Sequence, residues 1–139
     1  MALVAGFAVL LCVAVTPTVR TGAAPGDVRF VDLPPTATRV DYYLGGAFGP
    51  GNYVEFDVPE VAFLAWAQAR GWDVRPFDEP DEPHLVHRLL SDTKAGGPWE
   101  LKVRRGYEWA RSDGSDRGGG WSIVYDADAG RAYYTDAWR

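Results

Sequence analysis

Cysteine is almost absent from this chain of 139 residues, since Cys12 is the only one. It lies in the apolar N-terminal segment, so everything that follows has no cysteine at all. This excludes a disulfide framework, a thiol nucleophile and a cysteine-ligated metal from the remainder of the chain. The roughly 116 residues beyond position 23 are enough to bury a hydrophobic core without such cross-links.

Charge is absent from the first nineteen residues, and Arg20 is the first charged side chain. Residues 2–15 are almost all apolar, and Thr16, Pro17 and Thr18 close the run. A segment of this kind is typical of a secretory signal peptide or of a short membrane anchor, a transmembrane helix of marginal length. We therefore expect two parts: residues 1–23 as signal peptide or N-terminal anchor, and residues 24–139 as one exported domain.

The fate of the N-terminal segment is open between those two alternatives. The small residues around Ala23 would suit a signal peptidase, whereas the basic residues that usually open a signal peptide are missing. Either way the domain is expected to be exported, in the periplasm, outside the cell or held at the membrane. Leu11 stands before Cys12 where a lipidation motif needs a small residue, so we interpret Cys12 as one more apolar side chain.

Clusters of basic residues are also missing. The net charge is −5 at pH 7, and Arg104–Arg105 is the longest basic run. An acidic domain of this kind is a poor candidate for binding nucleic acid or anionic lipid headgroups. We expect contact with the membrane only through the N-terminal segment, if it is uncleaved, and we expect the partner to be an envelope protein or a glycan.

The pattern of apolar residues predicts an α+β fold. Residues 38–44 and 53–56 are expected to form a hairpin, preceded by a short strand at 28–31. A helix is expected to begin at Asp57–Pro59–Glu60, where Asp57 would cap and Glu60 completes a capping box, and to end before Gly71. A second helix is expected from Pro83 to about residue 96. In all we predict a mostly antiparallel sheet with about two helices on one face, preceded by an N-terminal hydrophobic helix.

The last 41 residues are expected to form a three-stranded meander. One long strand at 99–109 with a bulge at Gly106, a strand at 121–125 and a return at 131–135 would complete the sheet. Alternation places Trp99, Tyr107 and Trp109 on one side of the long strand. We expect most of these rings, with Trp121 and Tyr125 of the next strand, to be buried under the first helix, because several exposed together would form an unusual apolar patch.

Histidine is scarce as well, and the two histidines are the strongest candidates for a site. His84 and His87 are three residues apart on one face of the second predicted helix, beside the acidic loop that contains Asp78, Glu79, Asp81 and Glu82. With Asp81 or Glu82 as a third ligand they would resemble a zinc or copper site. Two histidines on a solvated helix face are the more ordinary interpretation, and we therefore assign no metal, no cofactor and no catalytic residue.

Other candidate motifs fall short of a site. Residues 113–116 lack the alternating acids and the bidentate glutamate of a calcium loop. No serine lies in a Gly-x-Ser-x-Gly elbow. Glu100 and Glu108 are expected to be solvated partners of Lys102 and Arg104.

Three short features carry a family resemblance. They are Leu33–Pro34–Pro35–Thr36–Ala37–Thr38 before an aromatic strand, the proline-led helix start at Val58–Pro59–Glu60, and a terminal hairpin at residues 125–134. In these the chain resembles small bacterial secreted proteins and lipoproteins of uncharacterised function, although it has no lipidation motif around Cys12. The resemblance implies an envelope location and an α+β fold, and no activity.

Together these observations predict an exported or membrane-tethered envelope protein that acts as a non-enzymatic binding or structural accessory domain. The alternative is a small metal-dependent protein or enzyme that uses His84, His87 and the adjacent acidic loop.

Overall fold

The computed structural model describes residues 17–45, 51–79, 81–88, 90, 100–112, 114 and 119–137. In this part of the chain nine strands and one α-helix form. In chain order they are β1 (Thr18–Ala23), β2 (Thr38–Leu44), β3 (Asn52–Asp57), α1 (Glu60–Ala69), β4 (Arg75–Asp78), β5 (His84–His87), β6 (Glu100–Val103), β7 (Arg105–Ser112), β8 (Gly120–Asp126) and β9 (Arg131–Ala137). A single 3-10 turn, Pro25–Asp27, follows β1.

The strands form two sheets. Seven of them make one antiparallel sheet in the order β1-β2-β3-β9-β8-β7-β4, and β5 pairs with β6 in a separate two-stranded hairpin. Slightly more than half of the described residues lie in strands, and α1 is the one helix of seven or more residues among them. The prediction of about two helices on one face of the sheet is therefore wrong. An N-terminal hydrophobic helix would lie outside the described residues.

The second predicted helix is a strand in the structure. Residues 84–87 form β5, whose partners in β6 include Val103 opposite His84 and Leu101 opposite Val86. A short apolar run fits helical and extended spacing almost equally well, so its partner decides between them. That partner, β6, begins thirteen residues after β5 ends, beyond the reach of a local pattern. Residues 91–96 of the predicted helix lie outside the described residues.

The first predicted helix is present, but it begins differently. α1 starts at Glu60 with Pro59 as its N-cap and with no side-chain cap. Asp57 does not cap because its carboxylate binds Arg39 and Arg131. At the other end Gly71 has a φ of +70°, and the amide of Trp72 donates to the carbonyl of Ala67 at 3.0 Å. This is a Schellman ending, as the glycine at this position indicates.

One face of the seven-stranded sheet is covered by α1 and by the coil before β2. The fully buried ring of Phe63 stacks on Tyr125 with centroids 4.5 Å apart. Val28 and Val31, expected in a short strand, belong to this coil and are buried against the same core. This face holds the larger of the two hydrophobic clusters.

The predicted aromatic face lies on this side. Tyr107 packs near Phe63 at 6.2 Å, and Trp109 stacks on Trp72 at 4.9 Å. Tyr125 is buried, Tyr107 and Trp109 are half-buried, and Trp121 is 37% exposed. Trp99 lies outside the described residues. Of the four described rings Tyr125 alone is buried, so the expectation that most of them would be buried is wrong. Tyr107 and Trp109 pack against the core at its partly buried edge, and Trp121 is exposed.

The predicted long strand at residues 99–109 is wrong. It consists of β6 and β7, which Arg104 separates and which belong to different sheets. Gly106 makes no bulge, since β7 and β8 pair in an unbroken register. Glycine is needed there for another reason: a Cβ would lie 1.7 Å from the carbonyl oxygen of Tyr125.

The N-terminal end of the described chain is also extended. β1 pairs with β2 from Thr18 opposite Leu44 to Ala23 opposite Val40, with a register shift between Arg20 and Ala23. It forms one edge of the large sheet, and most of its side chains are exposed. These residues belong to the segment predicted as signal peptide or anchor.

The hairpin of β5 and β6 covers part of the opposite face of the sheet. Val86 and Val103 from the hairpin, with Leu90 just after β5, pack against Tyr53, Val124 and Tyr133 of the sheet. The sheet therefore lies between α1 on one side and this hairpin on the other.

Candidate functional site

The hairpin crosses the strands of the large sheet rather than running along them. His84, at the start of β5, contacts Glu108 of β7, and Arg88, just after β5, binds Glu55 of β3. Strands β8 and β9 lie between β7 and β3, so the two contacts are three strand spacings of about 4.8 Å apart. Five extended residues span about 13 Å. β5 therefore crosses the sheet at a steep angle and is anchored at both ends.

This crossing leaves a groove of about 440 Å³ on one side of β5. Its wall is β5 itself, because His84, Leu85, Val86 and His87 all line it while no residue of β6 does. Its floor is the part of the sheet that the hairpin leaves open, where Ala110, Ser122, Thr135 and Ala137 contribute small side chains. The volume falls within the range of about 300–1,000 Å³ that ligand pockets occupy.

The two histidines contact different sheets. His84 turns toward the sheet, where its Nδ1 lies 3.2 Å from Oε2 of Glu108 and its ring stacks on Phe77 at 5.3 Å. His87 is opposite Glu100 in the hairpin, with Nε2 3.4 Å from its carboxylate. The helix that would place both imidazoles on one face is absent, so each histidine has its own carboxylate partner.

The same geometry contradicts the prediction that Glu100 and Glu108 are solvated partners of Lys102 and Arg104. The two glutamates lie on different sheets, and they pair with His87 and His84 respectively. Glu108 also lies 3.5 Å from Nη2 of Arg75 on the edge strand β4. Glu108 is therefore the acid that joins β4, β7 and the start of β5.

The acidic loop adds no ligands to these histidines. Asp78, Glu79, Asp81 and Glu82 are exposed. Among the described residues no group of three or more histidine, cysteine, aspartate and glutamate side chains is placed to hold a metal ion. Residues 113 and 115–116 of the calcium-like stretch lie outside the described residues.

On the other side of the hairpin is a buried network of ion pairs. Glu55 is 1% exposed and accepts hydrogen bonds from Arg88 Nε at 2.9 Å, Tyr53 Oη at 2.8 Å and Arg131 Nη2 at 3.1 Å. Arg131 also donates to Asp57 at 2.6 Å and to Asp41 at 3.0 Å. With three donors on one carboxylate, the cost of burying its charge is offset.

Arg39 completes the network at its exposed end. It pairs with Asp57, and its carbonyl oxygen accepts a hydrogen bond from Arg131 at 3.2 Å. Its φ of +46° is in the left-handed region that non-glycine residues rarely adopt. Three arginines and three carboxylates therefore balance in charge, and beside them the backbone of β2 is strained at Arg39, where its register with β3 shifts.

The network determines how its acids titrate. Burial by itself raises the pKa of Glu55, but hydrogen bonds from Arg88 and Tyr53 and the charge of Arg131 outweigh burial and hold this pKa below its ordinary value. For Asp57, burial is likewise outweighed by Arg39 and Arg131, so its pKa is also lowered. Burial and the nearby charge of Glu55 raise the pKa of Tyr133 to about 12. Both acids are therefore charged at neutral pH, and Tyr133 is protonated.

Sequence reasoning missed this network. A signal was present: Glu55 and Asp57 alternate with apolar and aromatic residues in β3, and Asp41 lies opposite Glu55 in β2, which is the pattern of a sheet face that carries buried charge. The cationic partners could not be assigned, because Arg88 and Arg131 are 33 and 76 residues away from Glu55 along the chain.

The described lining of the groove contains hydroxyls but no arrangement of nucleophile and base. Ser122 and Thr135 are opposite each other on β8 and β9 in the floor. The imidazole of His84 contacts Glu108 and Phe77 rather than a hydroxyl. What the described part of the groove presents is one strand of main chain, small side chains and a histidine–glutamate pair at one end.

Comparison with protein-family models, curated proteins and solved structures found no match to this chain. In the described ranges no helix combines the length and the apolar character needed to cross a membrane.

Proposed function

We propose that this chain is an exported or membrane-tethered envelope protein whose domain acts by binding, without catalysis. The observation that carries the proposal is the groove beside β5. Its wall is a strand, its floor is small side chains, and the titratable pair among its described lining residues is His84 and Glu108, whose Nδ1 and Oε2 atoms lie 3.2 Å apart. Such a surface suits recognition of a partner better than chemistry on a substrate.

The uncharged segment of residues 1–19 supports an exported location. Two residues, Thr16 and Pro17, separate its apolar run from β1. A cut between Ala23 and Ala24 would remove β1 and leave the edge of β2 unpaired. This favours a form in which residues 18–23 stay with the domain, and hence the tethered alternative over cleavage after Ala23.

The test of location uses the full chain with a C-terminal affinity tag, expressed in a bacterial host. We expect the protein in the membrane or extracytoplasmic fraction, and we expect an intact mass that retains residues 18–23. Recovery from the cytosolic fraction would contradict the proposed location. A mass that begins at Ala24 would support export and contradict tethering.

The test of catalysis uses the same protein against esterase, peptidase, glycosidase and phosphatase substrates. We expect no turnover above the buffer. His84→Ala is the informative variant because His84 lines the groove and pairs with Glu108, and His87→Ala is its matched control in the same strand. Turnover that His84→Ala abolishes and His87→Ala preserves would contradict a non-enzymatic function.

A further inference from the structure

The side of β5 that faces the groove is a strand edge. Within the described residues β5 pairs only with β6, through the four residue pairs from His84–Val103 to His87–Glu100. The residues His84, Leu85 and Val86 line the groove on the side away from β6. An edge of this kind presents main-chain donors and acceptors that can pair with a further extended chain.

The floor beneath this edge has room for side chains. Ala110 and Ser122 are opposite each other on β7 and β8, and Thr135 follows on β9. Large residues at these positions would fill the groove, whereas small ones leave its volume of about 440 Å³ open. An extended segment along β5 would turn alternate side chains toward this floor.

Exposed acids precede the start of the groove. Asp81 and Glu82 are exposed directly before β5, whereas Glu108, at the His84 end of the groove, already pairs with His84 and Arg75. Leu85, at the outer edge, is 49% exposed and leaves apolar surface beside the groove. These features fit an extended partner with a basic residue at one end and apolar residues along the strand.

We propose that the groove binds an extended peptide segment of a partner protein, which adds as a third strand to the hairpin at the edge of β5. Alternate side chains of the peptide face Ala110 and Ser122, and a basic residue at its end pairs with Asp81 or Glu82. This inference rests on the proposed binding function and names the class of partner.

The test measures binding of two dye-labelled hexapeptides to the full-length chain by fluorescence polarisation. They are Lys-Val-Thr-Val-Thr-Val and its reverse, both capped at their ends, because β5 can accept either strand direction. We expect at least one to bind, and we expect added salt to weaken its binding. Since main-chain pairing tolerates many sequences, failure of both peptides at about 1 mM overturns the proposal.

Two controls separate strand addition from simple apolar binding. N-methylation of alternate peptide amides on one edge should weaken binding about tenfold, because it removes the paired donors, while methylation on the other edge should leave it within about twofold. Equal weakening by both patterns, or by neither, would overturn strand pairing.

The protein variants locate the site. Ala110→Phe should fill the floor and weaken binding at least about tenfold, whereas the matched control Ala65→Phe, on the exposed side of α1, should not change it. Sedimentation must show that the free protein is monomeric. A dimer that Ala110→Phe dissociates would identify a second copy of this chain as the occupant of the groove and overturn the peptide proposal. The proposed function would not fall with it, because that function is tested separately by the location and turnover experiments.

Discussion

Glu55 and Arg88 are 33 residues apart in the chain and form a two-point ion pair that fastens the β5–β6 hairpin to the large sheet. The carboxylate belongs to a central strand and is buried, while the guanidinium follows the last residue of β5. Because β5 is also the wall of the groove, this ion pair fixes the position of the wall. The stability of the fold and the shape of the groove are therefore coupled through one contact.

Loss of the Glu55 charge should loosen the hairpin. In Glu55→Gln the charges of Arg88 and Arg131 lose their shared partner inside the protein, and we expect the free energy of unfolding to fall by about 3–5 kcal/mol. Urea denaturation at pH 7 measures it. The control is Asp128→Asn, which removes an exposed ion pair with Arg105 and should cost at most about 1 kcal/mol. Equal losses in both variants would contradict a special role for Glu55.

The protein should lose stability in acid below the ordinary carboxyl pKa. The pKa values of Glu55 and Asp57 are lowered in the folded state, so the folded protein binds fewer protons than the unfolded chain. Their contribution is complete above about pH 5 and is lost as the pH falls from about 4 through the lower folded values. Urea midpoints at pH 7, 5, 4 and 3 should show this fall. In Glu55→Gln the fall of the urea midpoint with pH should be smaller than in the wild type. In Asp73→Asn, at an exposed position, the fall should be unchanged.

Truncation of Phe63 should destabilise the core of the first face. The ring is fully buried and stacks on Tyr125, so Phe63→Ala should cost about 3–5 kcal/mol. Val61 lies on the same helix but is 81% exposed, which makes Val61→Ala the matched control with an expected change within about 0.5 kcal/mol. Thermal melts followed by circular dichroism compare the two. A Phe63→Ala protein that melts like the wild type would contradict this packing.

Gly106 should not tolerate a side chain. A Cβ at this position would overlap the carbonyl oxygen of Tyr125 in the neighbouring strand, so Gly106→Ala should force β7 and β8 apart and cost at least about 1–3 kcal/mol. Gly26→Ala is the control, because a Cβ there meets nothing within 4 Å. Urea midpoints of the two variants should differ clearly. Equal midpoints would show that the strands can relax around an added methyl group.

Several elements were predictable from local sequence. The hairpin of β2 and β3, the body and glycine ending of α1 and the turn between β8 and β9 follow from turn and helix-end residues such as Gly71 and Gly130, which both take positive φ. The side of the sheet on which Tyr107 and Trp109 lie also followed, because alternation in a strand is a local property, but their degree of burial did not.

The second predicted helix and the long strand at 99–109 failed for one common reason. Residues 84–87 and residues 100–103 pair with each other instead of continuing their own local patterns. Contacts between segments separated in sequence override weak local preferences, and here they convert a predicted helix into the wall of the groove.

By itself the sequence determined the uncharged N-terminal segment, the absence of cysteine from the rest of the chain, its acidic charge and the local turns, because these depend only on residue types and near neighbours. The tertiary structure alone decided that Glu55, Arg88 and Arg131 share one buried site, and that His84 and His87 do not. The places of Arg88 and of the two histidines follow from how β5 crosses the sheet, and Val86 packs there against the apolar face around Tyr53 and Tyr133. Such packing depends on the whole fold, so no local pattern contains it.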